Sequence, residues 1–147
     1  MIDISCEELL NTNGFIISGF KGTSMTPLLR ADRDKVYIEK VADRLKKGDI
    51  ALYKRKSGEY VLHRVFKVNE ISYDFWGDNQ FVIERGVLDL QILGVAKGYY
   101  KGEKYIDFKK SFKYKLYKLF WCSSIFLRKF FNLFRRLKGK IKKIFSK

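Results

Sequence analysis

The stretch Glu59–Val68, EYVLHRVFKV, decides how the rest of the chain reads. It is the longest strand candidate, rich in valine and aromatic residues, and it holds the only histidine, His63. Shorter runs of the same kind lie on both sides of it. FIISGF, DKVYIEKV and DIALYKR precede it, and YDFW, FVIERGVL, QILGVAKGYY and KYIDF follow. In DKVYIEKV, Val36 and Ile38 alternate with Tyr37 and Glu39, the period of a half-buried strand. Turn signals punctuate the series, among them KKGD and Gly77-Asp78-Asn79. Short strands at this spacing predict a mainly β domain of barrel or sandwich type. No helices fall between the strands at βαβ spacing, so a doubly wound parallel sheet is not expected. Ahead of the strands, Ser5 and Glu8 fit a capping box and Asn13-Gly14 a stop, which predicts a short helix over about Ser5 to Thr12.

Charge divides the chain in two. The net charge is +15 over 147 residues. Residues 1–108 carry 17 Lys/Arg against 16 Asp/Glu, and residues 109–147 carry 14 Lys/Arg and no acid. A near-neutral β-rich domain, 1–108, therefore carries a cationic tail, 109–147. In the tail, Leu116, Leu119/Phe120, Leu127, Phe130/Phe131, Phe134, Leu137 and Ile141 recur at three- and four-residue steps, with Lys113, Lys118, Arg128, Arg135 and Lys142 on another face. A basic face opposite bulky apolar residues is the pattern of a helix lying in a membrane interface. The expected partner of residues 112–147 is an anionic membrane surface, with packing onto the domain or another protein as the second reading. Nucleic acid is not expected, because a phenylalanine-rich stripe serves lipid or protein better than phosphate.

Several classes are set aside by composition. Two cysteines, Cys6 and Cys122, make no disulfide framework, and one histidine with two cysteines makes a zinc site improbable, so no metal or cofactor is expected. The acidic start MIDISCEELLN is not a secretory leader. The longest charge-free run of the tail, Leu119–Leu127, has nine residues against the roughly 18 needed to span a bilayer.

Residues able to do chemistry are few. In FKGTSMTPLL, Phe20 to Leu29, Ser24 lies in a turn punctuated by Gly22 and Pro27. A serine needs an adjacent base to act as nucleophile, and His63 is the one histidine that could serve. Asp78 or Asp49, both at strand–turn junctions, could orient its ring. Taken singly, each has an ordinary alternative: Ser24 as a turn hydroxyl, His63 as a structural strand residue, and the aspartates as turn caps.

The ordered set KGTSMTPLL, LKKGDIALYKR, YVLHRV, FWGDNQ and GVLDLQILGVAKGY resembles the signal peptidase and LexA-like serine peptidase superfamily. The likeness covers about Gly19 to Tyr99. It implies a signal-peptidase/LexA-like, β-barrel-type catalytic domain and serine endopeptidase activity on a leader-type segment of a precursor. By position, Ser24 matches the nucleophile, His63 the general base of the histidine branch found in archaeal and endoplasmic-reticulum enzymes, and Asp78 the acid that orients it. Gly22, Thr23 and Met25 fall in the nucleophile turn, where oxyanion and substrate contacts are expected, with Met25 packing beneath the site. Asp49 would hold the walls of the site together. Typical signal peptidases begin with a transmembrane anchor, and this sequence does not. The tail would replace it, placing the enzyme peripherally at the cytoplasmic membrane face, or in the cytoplasm if the tail packs on the domain. A catalytically inactive binding module of the same fold is the alternative.

Overall fold

The computed structural model describes residues 6–123 together with 130, 133 and 134. A short helix α1 (Cys6–Asn13) leads into strands β1 (Phe15–Ser18), β2 (Asp34–Lys40), β3 (Ile50–Lys54) and β4 (Tyr60–Val68). Strands β5 (Ser72–Trp76), β6 (Glu84–Leu88), β7 (Ile92–Lys101) and β8 (Lys104–Asp107) follow, and then helix α2 (Phe112–Ser123). Ser5, expected to cap α1, lies outside the described residues, as does most of the cationic tail beyond Ser123.

The eight strands form one sheet in the order β1-β2-β7-β3-β4-β5-β6, with β8 paired to β7, and every pairing is antiparallel. The path ends at β1 and β6, so the sheet is open. The protein is thus mainly β, with a helix near each end of the described chain. Strand β7 is long enough to serve three neighbours, β2, β3 and β8.

Burial explains why the central strands read differently from the outer ones. In β2 the pattern alternates, with Asp34, Val36 and Ile38 inward. In β3 four consecutive residues are buried, because both faces are covered. Ile50 and Leu52 join Met25, Leu29, Leu62 and Ala96 in one apolar cluster, which Leu10 of α1 completes. Ala51 and Tyr53 join Val61, Val65, Phe75 and Val87 in a second. The segment FVIERGVL becomes a strand only from Glu84, since Val82 is exposed and Phe81–Ile83 makes no ladder.

Helix α2 docks on the sheet through polar-tipped aromatics. Tyr114 and Trp121 are buried, whereas Phe112, Leu116 and Leu119 face out, 76%, 57% and 69% exposed. The first turns of the tail are therefore part of the folded body, and the aliphatic stripe seen in the sequence is not the surface that docks. The docking target is a buried ion pair. Arg64 Nε and Nη2 donate to the two oxygens of Asp78 at 2.8 and 2.7 Å, with both residues essentially inaccessible to solvent. Tyr117 donates to the same carboxylate at 2.9 Å, and the guanidinium lies 5.9 and 5.7 Å from the Tyr114 and Tyr117 ring centres.

Removing one partner of such a pair strands a charge in a dry site, at a cost of about 3–5 kcal/mol. Arg64→Met is expected to lower the free energy of unfolding by an amount of that order and the thermal midpoint with it, well beyond the effect of Arg85→Met at the exposed end of β6, whose contact to Asp74 is 3.7 Å. Equal midpoints for the two variants would show that the pair does not hold the fold.

Candidate functional site

The Ser24 turn is built by its own backbone and then clamped from outside. Gly22 takes φ +83°, a left-handed conformation that a side chain would strain. Thr26 returns its N–H and its hydroxyl to the Thr23 carbonyl at 3.1 and 2.7 Å. Met25 and Leu29 are buried and fasten the turn to the core, so Met25 packs beneath the site and its side chain is not a contact surface for substrate. The clamp is the loop after β5. Asn79 donates its backbone N–H to the Ser24 carbonyl at 2.7 Å and its side-chain amide to the Thr23 carbonyl at 3.2 Å. At Gly77 an added Cβ would come within 2.9 Å of the Ser24 carbonyl oxygen, so the close approach requires glycine. The GDN segment thus has three separate tasks: Gly77 makes room, Asp78 receives Arg64, and Asn79 holds the serine turn.

His63 stands on β4 opposite Ala51 of β3 and is only 3% exposed. Its Nδ1 lies 3.2 Å from the hydroxyl of Tyr53, which donates to Glu84 Oε2 at 2.7 Å. Arg55 holds that carboxylate with two further bonds, Nε to Oε1 at 2.8 Å and Nη2 to Oε2 at 2.6 Å. The proton positions follow in sequence. Arg55 holds the Glu84 carboxyl below its ordinary range, so Glu84 is ionised and only accepts. Burial, and after it Glu84, push the Tyr53 hydroxyl pKa up, so Tyr53 keeps its proton and gives it to Glu84. The Tyr53 oxygen is then the acceptor for His63, whose Nδ1 carries the hydrogen. Nε2 is left with a lone pair, the form a general base requires.

Burial lowers the His63 pKa to about 4, with Glu84 the largest opposing influence. The imidazole is therefore neutral throughout the neutral pH range.

Ser24 and His63 line the same cleft, of about 420 Å³, whose apolar floor includes Ile16, Val36, Ile38 and Leu52, with Gln80 and Arg55 at its polar rim. No hydrogen bond joins the two side chains among the described residues.

Asp78, expected to orient His63, is placed by the structure on a buried arginine and a tyrosine. Its carboxylate is engaged by Arg64 and Tyr117, and the group that reaches the histidine Nδ1 is Tyr53, backed by Glu84. Asp49 does not reach the ring either. Its side chain accepts the Lys46 N–H at 2.8 Å, while its backbone carbonyl accepts from Val65 at 2.7 Å, tying the GDI turn to β4. Gly22 and Thr23 lie in the exposed part of the serine turn, beside the cleft. Tyr53, Glu84 and Arg55 were not singled out from sequence. A signal for Tyr53 exists, because in an antiparallel pair it is the diagonal neighbour of His63 on one face. Among the described residues no group of histidine, cysteine and carboxylate side chains could hold a metal ion.

The chain matches no family model, no curated protein and no solved structure.

The lowered pKa has a sign that can be checked. Between about pH 6.5 and 4 the unfolded chain binds a proton at its histidine and the native state does not. Stability is complete above pH 6.5 and falls as the pH drops toward 4. In the upper part of this window, pH 6.5 to about 5, carboxylates remain ionised in both states, so His63→Gln is expected to flatten the dependence of the melting temperature on pH there. A slope unchanged by that substitution would show that His63 is not buried in its neutral form.

Proposed function

We propose that this protein is a serine endopeptidase in which Ser24 is the nucleophile and His63 the general base. The observation that carries the reading is the Glu84–Tyr53–His63 series ending in the cleft that Ser24 lines. Nothing in strand packing asks for an ionised carboxylate, a tyrosine and a neutral histidine in line. A base that must keep one tautomer does.

In the proposed reaction Ser24 Oγ attacks the scissile carbonyl while its proton passes to His63 Nε2. The Nδ1 hydrogen stays on the imidazole and is donated to the Tyr53 oxygen, so the imidazolium is stabilised by Glu84 at one remove. The tetrahedral oxyanion needs fixed donors. The Ser24 N–H and a neighbouring N–H of the Gly22–Ser24 turn are the candidates, kept in place by the Asn79 clamp. His63 then gives its proton to the leaving amine, and water repeats the sequence on the acyl-enzyme. The resemblance to signal peptidases and LexA-like peptidases fits this assignment, with a leader-type segment of a precursor as substrate. It also carries the barrel-type description of a sheet that is open here.

The expected membrane-surface association belongs to the same proposal. Among the described residues no helix is long and apolar enough to cross a membrane. The outward Phe112, Leu116 and Leu119 of α2, interspersed with Lys113 and Lys115, suit adsorption to an anionic surface.

Cleavage of a leader-containing precursor by purified protein tests the function. Ser24→Ala is expected to abolish it and His63→Ala to slow it by about 10²–10⁴-fold. Tyr53→Phe, which removes the Nδ1 acceptor and keeps the ring, should lower kcat by about tenfold or more with KM little changed. Equal cleavage by parent, Ser24→Ala and His63→Ala would rule out the reading and favour a binding module of the same fold.

A further inference from the structure

On the side of the molecule away from β6, a groove of about 900 Å³ runs between the β7–β8 hairpin, the first turns of α2 and Pro27–Leu28. Tyr99, Tyr105, Tyr114 and Tyr117 contribute aromatic walls. Five cations line it, Arg33, Lys101, Lys104, Lys110 and Lys113, against one carboxylate, Asp107. That carboxylate is committed to its own turn, where Oδ1 accepts the N–H groups of Lys109 and Lys110 at 2.7 and 3.1 Å. Arg33 is aimed by Asp34, which takes its Nε and Nη2 at 2.6 and 2.8 Å and leaves Nη1 uncommitted. Among the described residues none of the four lysines forms an ion pair.

One feature of the hairpin works against folding. Lys101 and Lys104 are direct cross-strand partners, and on its other side Lys101 stands opposite Asp34, whose carboxylate is held by Arg33. Like charges placed directly opposite destabilise a sheet. Glu103, in the intervening turn, makes no ion pair with either. An anion seated between the lysines would relieve that repulsion.

The wall contributed by α2 indicates which anion. Lys113, Tyr114 and Tyr117 face the groove, while Phe112, Leu116 and Leu119 of the same helix stand exposed beyond it. A soluble phosphate would use the cations and gain nothing from the apolar residues. A phospholipid uses both, with its headgroup against the basic groove and its chains against the phenylalanine and leucines. We propose that the groove seats the phosphodiester headgroup of an anionic phospholipid at a membrane surface. The proposal rests on the membrane-surface reading of the basic tail and adds to it a discrete site on the folded body. A headgroup held there would lie beside Pro27 and Leu28, at the far end of the turn that carries Ser24.

The test is sedimentation of the full-length protein with phosphatidylcholine vesicles, with and without phosphatidylglycerol. The site variant is Lys101→Gln with Lys104→Gln. A control of equal charge change is Lys47→Gln with Lys56→Gln, both exposed and outside the groove. Affinity for the anionic vesicles is expected to fall about tenfold or more in the site variant and less than about threefold in the control. The melting temperature of the site variant should equal or exceed that of the parent, since a repulsion is removed. If it falls, Lys113→Gln, which leaves the strand pair intact, gives the same reading from the other wall. Equal losses in site variant and control would overturn the discrete site and leave only diffuse attraction. Failure of the parent to bind anionic vesicles would overturn the membrane reading itself, and the headgroup site with it. Titration with inorganic phosphate separates the sources: phosphate binding lost in the site variant, with vesicle binding unchanged, would assign the groove to a soluble anion and overturn the lipid.

Discussion

The Arg64–Asp78 pair is the interaction on which the other features of this protein depend. Two charges taken out of water carry a large desolvation cost, which attraction offsets only when the remaining donors and acceptors are satisfied. Here they are largely satisfied. Beyond the two bonds to Asp78, Arg64 Nη1 donates to the Gly48 carbonyl at 2.9 Å and approaches the Tyr114 hydroxyl at 3.3 Å. The Trp121 ring N–H donates to the Asp78 backbone carbonyl at 3.2 Å. The pair consequently joins four parts of the chain: β4, the GDI turn, the GDN loop and α2. Two of these carry the candidate chemistry. His63 adjoins Arg64 on β4, and Asn79 adjoins Asp78 in the loop that clamps the Ser24 turn. The segments that hold Ser24 and His63 are thereby tied together through a buried ion pair.

The second constraint is electrostatic and lies around His63. A histidine this deeply buried loses its proton readily, which keeps it neutral but makes it a weak base. Glu84 compensates without contacting the ring. Its charge, delivered through the Tyr53 hydroxyl, costs nothing while the imidazole is neutral and grows favourable as the imidazole takes a proton. Arg55 prevents Glu84 from being protonated in its place. The arrangement favours the charged histidine at the moment a general base would need it and leaves the resting site neutral.

Much of this was legible in the sequence, and the remainder fails for identifiable reasons. Every strand was foreseen within a few residues, because alternation and turn residues agree along the whole β region. The exception, Phe81–Ile83, is apolar and β-prone but lies ahead of β6, which begins at Glu84, and pairing is not encoded locally. Ser24 and His63 were found from residue type and order and do share a cleft. Asp78 was found as a residue of consequence, and its place beside Arg64 and Tyr117 was not foreseen. Adjacent residues on a strand project to opposite faces, so the acid that meets Arg64 is not the one that serves His63, and only the sheet register brings Tyr53 beside the ring. In the tail, helical period was visible but the docking face was not. Tyr117 and Trp121 carry polar tips that donate to Asp78, and Tyr114 one that accepts from Arg64, an energy no hydrophobic pattern registers.

In the proposed mechanism Ser24 is made nucleophilic by a neutral, tautomer-fixed His63. The most direct measurement is peptide mass spectrometry after incubation with a serine-directed fluorophosphonate, which reacts covalently only with an activated hydroxyl. A single adduct on Ser24, lost in His63→Ala, is the predicted result. An unlabelled Ser24 in the folded parent protein, or labelling that persists undiminished without His63, would contradict it.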